Sequence, residues 1–70
     1  MGKNDIRTRV LLKHLKNNGC SFVRHGDGSH DIYVGPNGQA TSVPVGHKLV
    51  NYYTACGICA LFAIPKPPKS

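Results

Sequence analysis

The segment Gly26-Asp27-Gly28-Ser29-His30 places a histidine directly after a glycine-rich turn and at the head of a strand-like run. An unperturbed imidazole titrates at about pH 6.5, so it can take or give a proton near neutrality. A turn that contains glycine lets backbone N–H groups approach a phosphate closely. Both features suit RNA cleavage without a metal, in which a base deprotonates the 2′-OH and that oxygen attacks the adjacent phosphorus. The alternative is that His30 is an ordinary residue at a strand edge.

Other polar residues near this turn, or on basic segments, are candidates for holding the substrate. Ser29 adds a hydroxyl donor, Arg24 a charge that would stabilise the transition state, and His25 lies close enough in sequence to approach the same phosphate. The residues predicted to bind the substrate are Gly28, Ser29, Arg24, Lys13, Lys16, His25 and His47.

The charge of the chain is strongly positive and unevenly distributed. Its 70 residues have a formal net charge of +6, and six of the nine basic residues fall within the first 24 positions. These are Lys3, Arg7, Arg9, Lys13, Lys16 and Arg24. A basic face on a small domain attracts polyanions, most often nucleic acid. The alternative is a solvated helix face that keeps a small protein soluble.

The elements that must position these residues can be read from the apolar spacing. The spacing predicts a basic amphipathic helix over residues 6–18 with Asn4 or Asp5 as its N-cap, and a second, nearly all-apolar helix over residues 48–62. His47 would then stand at the start of the second helix. Between the helices, alternation and turn residues predict strands over residues 20–24, 30–34 and 39–43.

The chain is therefore predicted to be a small α+β domain of order α-β-β-β-α. Its three-stranded antiparallel sheet would carry two helices on one face, as in the double-stranded-RNA-binding domain. That domain would span residues 1–64, with a Pro/Lys tail over 65–70.

The cysteines and the apolar runs indicate the compartment. Three cysteines and no apolar leader argue against a disulfide framework and favour a reducing cytoplasm. The most apolar run, residues 55–64, is about half the length that a membrane span requires, so no membrane partner is expected. Cys56 and Cys59 form a C-x-x-C pair that we interpret as buried free thiols, with no metal or cofactor expected. A metal site completed by Cys20 and His47, or a redox pair, is the alternative.

The stretch from Leu11 to Pro44 resembles the HicA-type toxin family of bacterial toxin–antitoxin systems. Its matching features are a Leu-rich helix ending in glycine, the G-S-H-x-x-Y core at Gly28 to Tyr33, an Asn37-Gly38 turn and the T-x-V-P exit at Thr41 to Pro44. The final Ile64 to Pro67 is also similar to a common family ending. The resemblance implies a small domain with a fold like that of the double-stranded-RNA-binding domain.

The same resemblance implies an activity and a partner. Members act as mRNA interferases, which are endonucleases that cleave mRNA, and a HicB-type antitoxin neutralises them. The family histidine of the G-S-H motif corresponds to His30, which is therefore the predicted general acid/base. A homodimer or a toxin–antitoxin hetero-oligomer is expected. After Pro44, Val45-Gly46-His47-Lys48 departs from the family pattern of a basic residue and a histidine close together. This departure motivates two further possibilities, a weakly active member and a non-catalytic RNA-binding module of the same fold.

Overall fold

The computed structural model describes residues 4–69, which form two helices, a three-stranded sheet and a two-stranded sheet. In chain order the elements are β1 (Asp5–Arg7), α1 (Thr8–Asn17), β2 (Ser21–His25), β3 (His30–Val34), β4 (Ala40–Pro44), β5 (Leu49–Asn51) and α2 (Tyr52–Leu61). The predicted α+β class, the two helices and the three-stranded antiparallel sheet are confirmed. The predicted order α-β-β-β-α is incomplete, because it lacks β1 and β5.

The three-stranded sheet has the order β2-β3-β4, with both neighbouring pairs antiparallel. A tight hairpin joins β3 to β4, in which the Gly38 N–H donates to the Gly35 carbonyl at 3.0 Å. Gly38 has a φ of +83°, a conformation that glycine adopts without steric cost. The hairpin sets a register that runs from Val34 opposite Ala40 to His30 opposite Pro44.

The two faces of this sheet have different environments. Val43 is fully buried and lies opposite Asp31, so alternation places Asp31 and Tyr33 on the face that the helices cover. Helix α1 contributes Leu11 and Leu15 to that core. Phe62 packs directly against Gly35, so closely that a Cβ added at Gly35 would lie 2.6 Å from the Phe62 ring. We call the opposite surface, which carries Arg24, His30, Ile32 and Ser42, the outer face. Both helices therefore cover one face, as predicted.

The strands β1 and β5 correct the predicted starts of both helices. Ile6 of β1 pairs with Val50 of β5, and both are buried. Helix α1 consequently begins at Thr8 rather than at residue 6, and Arg7 stands at its N-cap without a side-chain hydrogen bond, so the predicted capping by Asn4 or Asp5 is wrong. An apolar residue at the edge of a helical pattern fits a strand equally well, and only the distant pairing partner decides between them.

Helix α2 begins four residues later than predicted, at Tyr52 instead of residue 48. The Asn51 side chain caps it by accepting hydrogen bonds from the N–H groups of Tyr53 at 2.9 Å and Thr54 at 3.2 Å. His47 therefore precedes β5 and does not stand at a helix start. Among the described residues, no helix has the length and apolar character needed to span a membrane.

The residues after α2 fold back onto both helices. The Tyr52 hydroxyl donates to the Pro67 carbonyl at 3.1 Å, and Pro67 is buried. The ring of His14 on α1 is hydrogen-bonded to the Pro65 carbonyl at 2.8 Å. Lys66 remains exposed to solvent.

Candidate functional site

His30 is presented at the end of a short, hydrogen-bonded turn between β2 and β3. The Gly26 N–H donates to the His30 carbonyl at 2.8 Å, and the His30 N–H donates to the Asp27 carbonyl at 3.0 Å. Gly28 has a φ of +55°, so the turn uses a backbone conformation that favours glycine. His30, Ser29 and Gly28 are all exposed. The backbone of the turn is thus held in place while its side chains remain accessible to a ligand.

Arg24 is the charged residue that the fold brings to the same face as His30. A register shift between Phe22 and Arg24 inserts a bulge into β2, which places Arg24 opposite Ile32. Ile32 and His30 are two residues apart on one strand and therefore share a face. Arg24 is therefore a diagonal neighbour of His30, and long side chains can bridge the distance between diagonal neighbours in a sheet.

A segment after β4 fixes the turn that carries His30. The Ser29 carbonyl accepts two hydrogen bonds, from the Val45 N–H at 2.7 Å and the Gly46 N–H at 3.0 Å. The approach is so close that a Cβ at Gly46 would overlap the Ser29 Cβ and lie 2.9 Å from its Oγ. Glycine at position 46 is therefore what allows the turn and the segment to meet.

The same segment is anchored at its other end to the start of α1. Buried Thr8 donates its backbone N–H to the Lys48 carbonyl at 2.8 Å and its hydroxyl to the His47 carbonyl. Between α1 and this segment lies an open groove of about 890 Å³. We call it the basic groove, because four of its lining side chains are Arg7, Arg9, His47 and Lys48. His47 thus lines a groove that begins beside Ser29.

The other candidate residues lie on the helix-covered side of the sheet. His25 Nδ1 lies 2.9 Å from Asp31 Oδ1, and its ring meets the ring of Phe22 edge-on at 5.2 Å. Since Asp31 and His30 face opposite sides of β3, the structure does not bring His25 and His30 onto one face. Lys13 and Lys16 are exposed on α1 and line a second groove together with Phe22 and Tyr33. Burial, and then the charge of Asp31, raise the pKa of the Tyr33 phenol.

The cysteines are free thiols packed in and around the core. Cys20 and Cys59 are buried and Cys56 is partly buried. Burial, with smaller contributions from the charges of Cys56 and Cys20, raises the pKa of the Cys59 thiol to about 11. A high pKa keeps a thiol protonated and poorly nucleophilic at neutral pH. Over residues 4–69, no group of three or more His, Cys, Asp or Glu residues is arranged to hold a metal ion.

The sequence predicted His47 as a substrate contact and placed Arg7 and Arg9 in a basic face that attracts polyanions, but it did not predict the groove that brings them together. It gave Gly46 and Lys48 no role. The signal that could have found the groove is Gly46 itself, because a glycine between two predicted elements often marks a close approach of two backbones. The pairing of β1 with β5, which brings Arg7 close to Lys48, leaves no such local signal.

Comparison with known proteins gave one family. The family model described as HicA toxin of bacterial toxin-antitoxin matches residues 8–58. The match runs from the start of α1 into α2 and includes the His30 turn, the three-stranded sheet and the segment after β4. No curated protein and no solved structure gave a significant match.

Proposed function

Because the chain belongs to the HicA toxin family and so has the toxin's role in a toxin–antitoxin pair, we propose that it is a ribonuclease that cleaves mRNA. The observation that carries this proposal is the exposed His30 at the end of a held glycine turn, on the same sheet face as Arg24. The proposed substrate is cytoplasmic mRNA, to which a net charge of +6 is complementary.

The proposed reaction needs two proton transfers and one site of charge stabilisation. A base removes the proton from the ribose 2′-OH, the 2′ oxygen attacks the adjacent phosphorus, and the bond from phosphorus to the 5′ oxygen breaks. An acid protonates the departing 5′ oxygen, which leaves a 2′,3′-cyclic phosphate and a 5′-OH. His30 carries one of the two proton transfers. Arg24 stabilises the charge that develops on the phosphoryl oxygens, and Gly28 and Ser29 provide polar groups next to it.

The remaining candidates are proposed to contact the RNA backbone away from the reacting phosphate. Lys13, Lys16 and His25 are exposed near the β2 edge of the sheet, which has no further strand beside it in the described part of the chain. A strand of RNA that crosses this edge would meet Arg24 on one face and these three residues on the other. His47 would contact the backbone on the opposite side of the His30 turn, in the basic groove.

The experiment is cleavage of a labelled RNA by purified protein, with His30→Gln as the test variant. His30 is exposed, so glutamine at this position leaves the core unchanged. We expect the variant to lose cleavage by about 10²–10⁴-fold, the usual contribution of a general acid or base. His25→Gln is the matched control, since it removes an imidazole from the other face, and it should change the rate much less.

Two further measurements separate the proposal from its alternatives. A substrate with a single 2′-deoxy sugar at the cut position should resist cleavage, because the attacking oxygen is absent. Wild-type protein that binds RNA without ever cleaving it would favour the non-catalytic RNA-binding module. Full cleavage by His30→Gln would refute the role of His30. Bound zinc near one equivalent that is lost in Cys59→Ser would favour the metal-dependent alternative instead.

The proposed antitoxin is of the HicB type and covers His30 and the surrounding basic residues. Such a cover blocks the substrate and the chemistry together. It predicts that a tight complex of the two proteins neither cleaves nor binds RNA. It also predicts that the complex shields the His30 ring from chemical modification, whereas the free chain leaves it accessible.

A further inference from the structure

We propose that the basic groove holds backbone phosphates of the RNA next to the nucleotide at His30. This inference deepens the proposed function, because it names where the substrate lies beyond the reacting phosphate. It adds Arg7, Arg9 and Lys48 to His47 as residues that bind the polyanion.

The basic groove concentrates positive charge. The groove is lined by two arginines, a lysine and a histidine, and none of its lining residues, all of them within the described part of the chain, is acidic. Arg7, Arg9, His47 and Lys48 are all exposed. Positively charged side chains in a cluster repel one another, so the cluster is most stable when an anion lies between them. Guanidinium groups in particular match the geometry of phosphate oxygens.

The backbone of the groove is held by the protein itself, before any ligand binds. Buried Thr8 holds the carbonyls of both His47 and Lys48, while the pairing of β1 with β5 holds Arg7 opposite Leu49. The backbone on both sides of the groove is therefore fixed. Binding then has to order only the ends of the side chains, which lowers its entropic cost.

The segment that lines the groove is joined to the turn that carries His30. The segment that supplies His47 and Lys48 begins at Val45 and Gly46, whose N–H groups both donate to the Ser29 carbonyl. Ser29 immediately precedes His30 in the turn. A phosphate chain that leaves the turn past Ser29 would then meet the groove along this segment. Because the segment is hydrogen-bonded to the Ser29 carbonyl, it fixes the position of the groove backbone relative to the turn.

The test is RNA binding measured by fluorescence anisotropy in a His30→Ala background, in which cleavage does not interfere. The probe is a labelled single-stranded RNA of mixed sequence. The test variants are Lys48→Gln and the double variant Arg7→Gln/Arg9→Gln. The double variant Lys66→Gln/Lys69→Gln is the control: it removes two positive charges from the chain end, as many as Arg7→Gln/Arg9→Gln removes from the groove. The double variant Arg7→Lys/Arg9→Lys keeps the charge in the groove and controls for damage to the fold, which thermal melts check in each case.

The expected effect follows from counterion release. The slope of log K against log salt is negative, and each lost contact with a single-strand phosphate reduces its magnitude by about 0.7. At about 0.1 M salt this corresponds to about fivefold weaker binding for Lys48→Gln and about 25-fold for Arg7→Gln/Arg9→Gln. The Lys66/Lys69 control should keep both affinity and slope near those of the parent, and Arg7→Lys/Arg9→Lys should keep most of the affinity.

The outcomes separate this inference from the nuclease proposal. If the groove variants lose RNA binding as expected and the wild-type chain cleaves no RNA, the groove is supported and the nuclease proposal fails. If the wild type cleaves RNA but Lys48→Gln and Arg7→Gln/Arg9→Gln bind it like the Lys66/Lys69 control, the groove inference is overturned. It is equally overturned if these variants keep RNA affinity and instead lose affinity for poly-glutamate, because the groove would then be a site for an acidic polypeptide.

Discussion

Substituting Gly46 by alanine tests whether the segment after β4 holds the His30 turn in place. The new Cβ would overlap the Ser29 Cβ and lie 2.9 Å from the Ser29 Oγ and 3.1 Å from the Ser29 Cα. Ordinary carbon–carbon contacts begin at 3.4 Å, so relieving the overlap of the two Cβ atoms requires the turn or the segment to move by more than an ångström.

That displacement breaks the two hydrogen bonds to the Ser29 carbonyl, which are now 2.7 and 3.0 Å long. Adding an ångström to each takes them beyond hydrogen-bond range. A typical hydrogen bond contributes about 0.5–1.5 kcal/mol net, so the free energy of unfolding should fall by about 1–3 kcal/mol. For a domain of this size, about 2 kcal/mol lowers Tm by about 8–16 °C.

Activity should fall further than the lost stability alone explains. An ångström of misplacement at a reacting group can lower a rate by about 10²-fold, and here it separates His30 from the basic groove. RNA cleavage is therefore measured well below the melting temperature, where the variant is still folded. Gly57→Ala is the matched control. A Cβ at Gly57 meets no atom within 4 Å, and alanine inside a helix stabilises by about 0.5–1 kcal/mol relative to glycine.

A second substitution decides whether the cost arises at this contact. Ser29→Gly removes both the Cβ and the Oγ that the new methyl group meets, so in the double variant it should restore most of the lost stability. The two changes must then be non-additive, as expected for residues in direct contact. A Gly46→Ala variant with normal Tm and full cleavage would show that this close contact does not hold the His30 turn. So would a double variant whose losses simply add.

The remaining predictions concern the fold that supports the site. Asn51→Ala removes the side-chain cap of α2 and should lower the free energy of unfolding in urea by about 0.5–2 kcal/mol, whereas loss of a mere surface residue would change it little. Gly35→Ala should cost about 1–3 kcal/mol, because its Cβ would lie 2.6–2.8 Å from atoms of Phe62; a smaller partner in Gly35→Ala/Phe62→Leu should relieve part of this cost. Burial raises the pKa of Cys59 from its ordinary 9.0 to about 11. The stability that this thiol contributes should thus be complete below pH 9 and lost as the pH rises towards 11, because the unfolded chain loses its proton first. Urea titrations across this range should show a shallower fall in Cys59→Ala, and an unchanged fall would contradict the assignment.

Local patterns predict the central part of this fold well, because there each element is decided by its own residues. The strand His30–Val34 has the predicted bounds, and its alternation correctly separates His30, Ile32 and Val34 from Asp31 and Tyr33. The helix after β1 has its apolar stripe where the spacing predicts it, with Leu11 and Leu15 fully buried. A period of two or of 3.6 residues is visible in a single segment and needs no knowledge of distant neighbours.

The short strands β1 and β5 could not be predicted in the same way. Each has three residues, too few to show alternation, and each continues directly into a helix whose apolar pattern extends over it. Their pairing joins Ile6 to Val50, two residues that are far apart in the chain. Only the start of α2 had a local signal, since Asn51 is a good N-cap. The same distinction between local and long-range features applies to the candidate site. His30 and its turn are local and were predicted, whereas the basic groove depends on a pairing between distant segments.

The segment Val45-Gly46-His47-Lys48 has a structural role that its sequence alone does not indicate. In the sequence it departs from the family pattern, because an apolar residue occupies a basic position and the histidine is displaced. In the structure Val45 and Gly46 hold the Ser29 carbonyl through their N–H groups, a role that needs a backbone and the absence of a Cβ rather than a charge. The positive charge is then carried by Lys48 on this segment and by Arg7 and Arg9 across the groove. The departure therefore removes one cation from the segment but leaves a basic groove along it, and it does not by itself argue for an inactive chain.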